Sequence, residues 1–207
     1  MNKNKFATLA SNSSVEKAAT ALTSHGITVH ITDDPSQTKK LVYSLIPKGA
    51  EVMTATSTTL NQLGLTDEIN NSIHHNSVKS QLSKLNREKD SLQMQKLGAG
   101  PDYIIGSVHA VTEDGKVIVA SGSGSQLPAY TYGASHVIWV VSTKKIVKNL
   151  EEGLERIYTH ILPQEDKRMK SVYGPDASSN VNKLFILNNE LNKSRINLIF
   201  VKEDLGF

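Results

Sequence analysis

The 207-residue chain contains no cysteine. Structural disulfides, thiolate zinc sites and cysteine-held iron–sulfur clusters are therefore excluded within it, and no cofactor is evident. Aromatic residues are scarce, at 5%, with a single tryptophan. No run approaches the ~18 apolar residues of a membrane span. The lysines of MNKNKFATLA are not followed by a long apolar region, so no secretion signal is expected. A formal net charge of +3, with lysines dispersed along the chain, gives no phosphate-tracking stripe. Neither nucleic acid nor a membrane is an expected partner, and a cytoplasmic location is. What is present is 38% hydrophobic and 21% charged residues, sufficient for one domain over 1–207.

Short apolar strands alternate with amphipathic helices. Ser13 and Glu16 stand at capping-box spacing beside Val15, Ala18, Ala19 and Leu22, predicting a first helix closed by Gly26. Strands are predicted over 27–31 and 50–54, with a helix carrying Leu41, Val42, Leu45 and Ile46 between them. The polar stretch 67–97 is predicted as a helical arm, for projection or for contact in a homo-oligomer. Strand patterns at 103–105, 108–112 and 117–120 then flank Glu113-Asp114-Gly115-Lys116, a β-hairpin turn with positive φ expected at Asp114 and Gly115. Residues 136–141 are apolar on both faces, as in a buried strand. Asn149 and Glu152 cap a helix bearing Leu150, Leu154, Ile157, Tyr158 and Ile161, predicted to stop at Pro163. That leaves 164–182 as an irregular insertion before final strands at 183–187 and 196–201. The predicted fold class is α/β, a mainly parallel sheet flanked by helices.

Two small-residue loops stand out. Thr56, Ser57, Thr58 and Thr59 follow a strand and precede a helix, where they cap the helix or hold an anion. Gly122, Ser123, Gly124, Ser125 and Gln126 follow the hairpin, either as a flexible connection or as backbone N–H groups facing a phosphate or carboxylate. Convergence of both loops at strand ends would make an anion pocket. Glu113 reads as a solvated turn residue or a nucleophile or base, Asp102 as a cap or a ligand-orienting acid, and Lys144 and Lys145 as a solvated pair or an anion-neutralising one. His109, near the turn, is the histidine to test first. His74 and His75 diverge on a helix and lack a third ligand at metal spacing, so no metal site is predicted.

Arg87-Glu88, then DYIIGSVHAVTEDGKVIV, LPAYTYGASHVIWVVSTKKIV, NLEEGLERI, ILPQEDKR and INLIFVKEDLGF occur in that order between Asn86 and Phe207. In order and spacing they resemble the LUD-domain family, the LutC/YkgG-like lactate-utilisation proteins. Many YkgG-like members carry a cysteine-rich segment after the position of Arg168. This chain reads YGPDASSNVNKLFIL there, so any role of those cysteines does not transfer. The resemblance implies the wider NagB/RpiA/CoA transferase-like fold group, in which TATSTT is similar to a phosphate loop, SGSGSQL to a later Gly-rich loop, and Glu113 to an E-x-G nucleophile. It implies an accessory or ligand-binding subunit of lactate (2-hydroxy acid) utilisation, taking a small anionic metabolite beside separate iron–sulfur partner proteins. The alternative is a small-molecule enzyme of that group acting on a phosphorylated or CoA-linked substrate.

Overall fold

The computed structural model describes residues 5–207. A turn of 3-10 helix, Lys5–Ala7, precedes α1 (Asn12–Ser24) and β1 (Thr28–Thr32). Next come α2 (Pro35–Leu45), β2 (Glu51–Thr54), α3 (Thr58–Gln62), α4 (Leu65–Asn70), β3 (Asn76–Ser77), α5 (Val78–Leu82) and α6 (Ser91–Ala99). The second half contributes β4 (Tyr103–Gly106), β5 (Ala110–Thr112), β6 (Val117–Ser121), β7 (His136–Ser142), β8 (Ile146–Val147), α7 (Leu150–Arg156), α8 (Leu162–Tyr173), β9 (Lys183–Leu187) and β10 (Ile196–Val201). No helix among the described residues is long and apolar enough to cross a membrane.

The α/β class holds. Six strands in the order β1-β10-β7-β4-β2-β3 form a sheet in which every pair is parallel. Alternation along the strands feeds two cores. Val52, Ile105, Ile138 and Ile199 face Val42 of α2 and Leu60, Leu65 and Ile69 of α3 and α4. Met53, Ile104, Val137, Trp139 and Leu198 face Val15, Ala18 and Leu22 of α1. A second sheet, β8-β5-β6-β9, stands against this latter side. Val117 and Val119 of β6 join the α1 core, while Ile118 and Ala120 point the other way, towards Ile157 and Ile161. The two strands expected to end one sheet thus separate: β9 pairs with β6, and β10 inserts between β1 and β7.

Several local expectations change. The first helix is capped by Ser11, whose hydroxyl accepts from Ser14 N, two residues before the predicted cap. The hairpin turn is not a two-residue loop with positive φ at both central positions. Gly115 alone is left-handed (φ +84°), and Gly115 N donates to Thr112 O at 2.9 Å while Thr112 N donates to Lys116 O at 2.9 Å. That is a three-residue loop closing on a glycine bulge, which needs only one left-handed residue. Pro163 does not end its helix. A π-helical turn over Ile157–Ile161 links α7 to α8, and this wider i→i+5 turn lets the chain pass a residue that has no N–H to give. The insertion expected over 164–182 is therefore helical to Tyr173 and irregular only beyond it. The 67–97 stretch is helical in pieces, and β3, Ile69 and Val78 anchor it to the sheet edge rather than leaving it clear of the domain.

Sequence reasoning did not single out Arg195, which secures a second π-helical turn, Ala129–Gly133. Its Nε donates to Ala134 O, its Nη2 to Ala129 O and Tyr130 O, each at 2.9 Å, and its Nη1 to Glu190 at 2.8 Å. The side chain is buried, so these acceptors have no water to replace it. Arg195→Met is expected to destabilise the protein by about 3–5 kcal/mol, because it strips a charged donor from the Glu190 carboxylate and from three carbonyls. Urea unfolding would measure the loss, and a change under 1 kcal/mol would remove Arg195 as the clamp.

Candidate functional site

The carboxyl ends of four neighbouring strands deliver polar residues to one place. Beyond β2, Ser57 caps α3 by accepting from Leu60 N, and Thr59 lies buried in the first turn. Beyond β4 come Ser107, Val108 and His109. Beyond β7, a 3-10 turn over Thr143–Lys145 turns both lysines inward. Beyond β10, residues 202–207 run back across the same edge. Crevices at strand carboxyl ends are where open α/β sheets take ligands.

Lys145 is at the centre and is 4% exposed. Its Nζ donates to Thr59 Oγ1 and Ser107 Oγ, each at 3.1 Å, and to Val108 O at 3.2 Å. Lys144, also buried, donates to Asp204 and to Gly206 O. Arg156, wholly buried at the end of α7, donates from Nη1 to His109 O at 2.8 Å, the carbonyl next to the one Lys145 uses. Its Nε and Nη2 have no hydrogen-bond partner among the described residues, and the guanidinium lies over the Phe6 ring at 5.9 Å. Neither Lys145 nor Arg156 pairs with a carboxylate among the described residues. A charge taken out of water without an opposite charge is costly, and Lys145 shows the consequence. Burial first, then Arg156 and Lys144, hold its amine well below the usual lysine range. Burial likewise lowers Arg156, to about 10.

Two histidines border this basic centre. Ala120 N donates to His109 Nδ1 at 3.1 Å, which fixes the ring as an acceptor there and puts its proton on Nε2. Burial, helped by Lys145 and Arg156, pushes His109 down to about 3, so it is neutral at physiological pH. His160 is pushed to about 4 by burial, Arg156 and Lys144. Among the described residues no group of three or more His, Asp or Glu is placed to hold a metal ion.

The centre is closed by the C-terminal segment. Ser142 Oγ donates to Glu203 O, Gln62 Oε1 accepts from Gly206 N at 2.6 Å, and Phe207 packs on the Ile118 and Ile157 cluster. Gly206 has φ +68°, and a Cβ there would sit 2.3 Å from Thr59 Oγ1 and 3.2 Å from Lys145 Nζ. Surface hollows of about 250 Å³ beside Lys5, Lys148 and Glu152, and of about 490 Å³ beside Thr20, Val29 and Ile31, share no residue with it.

Of the sequence candidates, Thr59, Lys144 and Lys145 meet here, with the lysines buried rather than solvated. Thr56, Ser57 and Thr58 form the approach to Thr59, with Ser57 occupied as a cap. The Gly122–Gln126 loop is bound elsewhere. Asn182 Nδ2 donates to Gly122 O, Ser121 donates to Gln126 Oε1, Ser123 and Ser125 bond to each other, and Gly124 packs on Lys183. Asp102 precedes β4 whereas Ser107 follows it, which sets Asp102 at the opposite end of the sheet, about 16 Å away by strand rise. There it lies 3.4 Å from Glu51 N. Glu113 lies about 13 Å from His109 along β5, on the hairpin, beside Lys17 at 3.4 Å. A hydrogen bond from Ser14 and the charge of Lys17 lower its carboxyl from the ordinary value, so it is a carboxylate in a surface pair. Arg156 and Ser107 escaped sequence reasoning. Arg156 was one charge on an amphipathic helix, and only the packing of α7 against β5 and β6 shows it turned inward.

With this geometry in view, the comparisons with known proteins define the class. The LUD domain family model matches residues 15–200, reaching well before the Asn86 where the sequence phrases begin. The chain belongs to the LUD-domain family. A crystal structure of a DUF162 family protein from Deinococcus radiodurans at 1.70 Å resolution superimposes with a TM-score of 0.57 at 11% identity, covering 94% of this chain and 99% of that one. At that identity the likeness is one of fold. No curated protein matches.

The histidine shift has a measurable outcome. An unfolded His109 takes a proton near 6.5 and the folded one only near 3, so between these values the unfolded chain binds more protons and stability falls as pH drops. His109→Asn keeps an acceptor for Ala120 N and removes the titration. Its stability is expected to decline less than that of the natural protein between pH 6.5 and 4, read by denaturant midpoints. Equal declines would show that His109 is not buried neutral.

Proposed function

We propose that this LUD-domain protein binds a small anionic metabolite at the Lys145 centre, as a ligand-binding or accessory subunit of 2-hydroxy acid (lactate) utilisation. The observation that carries the reading is a buried lysine and a buried arginine at the strand carboxyl ends with no carboxylate among the described residues to match them. An arrangement that costs stability without a bound anion, and recovers it with one, is suited to binding rather than to packing. The orphaned Nε and Nη2 of Arg156 offer the forked donor pair that suits a carboxylate or phosphate. The lactate assignment comes from family resemblance. Separate iron–sulfur partner proteins, which would carry the electrons that this cysteine-free chain cannot, belong to the same reading. Placement of Glu113 on the far side of β5 weighs against the alternative of a CoA transferase-type enzyme.

Calorimetric titration with lactate, inorganic phosphate, ribose 5-phosphate and coenzyme A tests the site. Lys145→Met is expected to weaken the best ligand about 10- to 100-fold, the worth of a charged hydrogen bond. Thr59→Val should weaken it too, while Ser125→Val should not. Undiminished affinity in Lys145→Met would dismiss the site, and a loss confined to Ser125→Val would return it to the Gly/Ser loop.

Binding should also take up a proton. The free amine is held below its ordinary range, and an anion beside it favours the charged form. Affinity is therefore expected to strengthen as pH falls towards neutrality from above. Observed heats should differ between buffers of high and low ionisation enthalpy, and identical heats in both would contradict proton uptake.

A further inference from the structure

We propose that Lys145 is an amine nucleophile that condenses with the carbonyl of a small oxo acid, whose carboxylate is held by Arg156. The proposal rests on the anion-binding reading above and narrows it to a substrate class. Three features distinguish Lys145 from a lysine that fills a polar gap. First, it is 4% exposed and has no carboxylate among the described residues to fix it as an ammonium. Second, its neighbours Lys144 and Arg156 are themselves cationic and favour the uncharged amine, the form that has a lone pair to attack with. Desolvation beside a second cation is one of the ways proteins activate lysine at neutral pH. Third, two of its three hydrogen-bond partners are the hydroxyls of Thr59 and Ser107, so a neutral amine, with two N–H groups, donates to Val108 O and one hydroxyl and accepts from the other. Protons can therefore pass between Nζ and a bound oxygen.

The step balances without an oxidant or reductant. The neutral Nζ attacks the carbonyl carbon, a C–N bond forms, and the C=O π pair moves onto oxygen. That oxygen takes a proton relayed from Nζ through Thr59 or Ser107. Loss of the second Nζ proton together with the hydroxyl, as water, leaves an imine. The carboxylate meets Nε and Nη2 of Arg156, unpartnered among the described residues, and not Lys145 itself, so the amine stays neutral for attack. The segment from Glu203 to Phe207 has a place in the same scheme. It opens at the Lys144–Asp204 and Gln62–Gly206 contacts to admit the acid, and it closes to keep out the water that would reverse the condensation.

The test is reductive trapping on the full chain. The protein is incubated with glyoxylate or pyruvate and sodium cyanoborohydride, and its peptides are mapped by mass spectrometry. One reduced adduct per chain is expected, on Lys145, with none from lactate, which has no carbonyl. Label should vanish in Lys145→Arg and persist in Lys40→Met, an exposed control. Arg156→Lys should raise the oxo acid concentration for half-maximal labelling about tenfold. Should Lys145→Arg fold poorly, the natural protein still decides the matter, because excess lactate must slow labelling of Lys145 and not of surface lysines. No adduct, or label spread evenly over surface lysines, overturns the proposal. Calorimetric binding of lactate together with no adduct from glyoxylate or pyruvate would overturn the nucleophile and leave the anion site standing. Absence of both would overturn the two readings together.

Discussion

The pairing of β10 between β1 and β7 is the constraint on which the rest depends. All six of its residues pair with β7 and five of them with β1, with Thr28 opposite Asn197 and Ile196 opposite Val137. Residues far apart in the chain must meet before the sheet has a centre, and such pairings close slowly because the loop entropy comes first. Once made, the pairing places Leu198 and Phe200 in one core and Ile199 and Val201 in the other. It also directs the chain after Val201 across the strand carboxyl ends, where Asp204 and Gly206 reach Lys144.

The candidate site is thus assembled by adjacency in the sheet rather than in the sequence. β2, β4, β7 and β10 are neighbours, and the residues just beyond them supply Thr59, Ser107, Lys145 and Gly206 in turn. Arg156 enters from the side, beneath α7, because the second sheet offers it His109 O and no solvent. Five basic side chains share this small volume. The structure tolerates them by leaving some uncharged: His109 and His160 as neutral rings, and Lys145 with its amine biased the same way.

Much of the fold was legible from periodicity. Helix α1, the strand over 136–142 and the hairpin all follow from apolar spacing and a turn glycine, signals that act over a few residues. The second sheet was not legible, because β9 and β10 look alike as apolar runs and only long-range pairing sends them to different partners. Pro163 misled for a local reason, since a π-helical turn leaves no clear sequence mark. For the site, Thr59 and Lys145 were visible as residue types at strand ends. Their meeting was not, and neither was Arg156, whose inward turn depends on packing. Glu113 drew notice by its place in a motif, yet the direction of β5 carries it away from the basic centre.

The burial of Lys145 and Arg156 has a thermal consequence. Hydration of a charged group is opposed by entropy, so the cost of stripping water from Arg156, and from Lys145 whenever it is protonated, falls as temperature rises. The basic centre therefore weighs most heavily on the fold in the cold and least near the melting transition. Whatever fills it relieves the protein most at low temperature, and an empty centre adds cold sensitivity to a domain whose apolar cores already weaken on cooling.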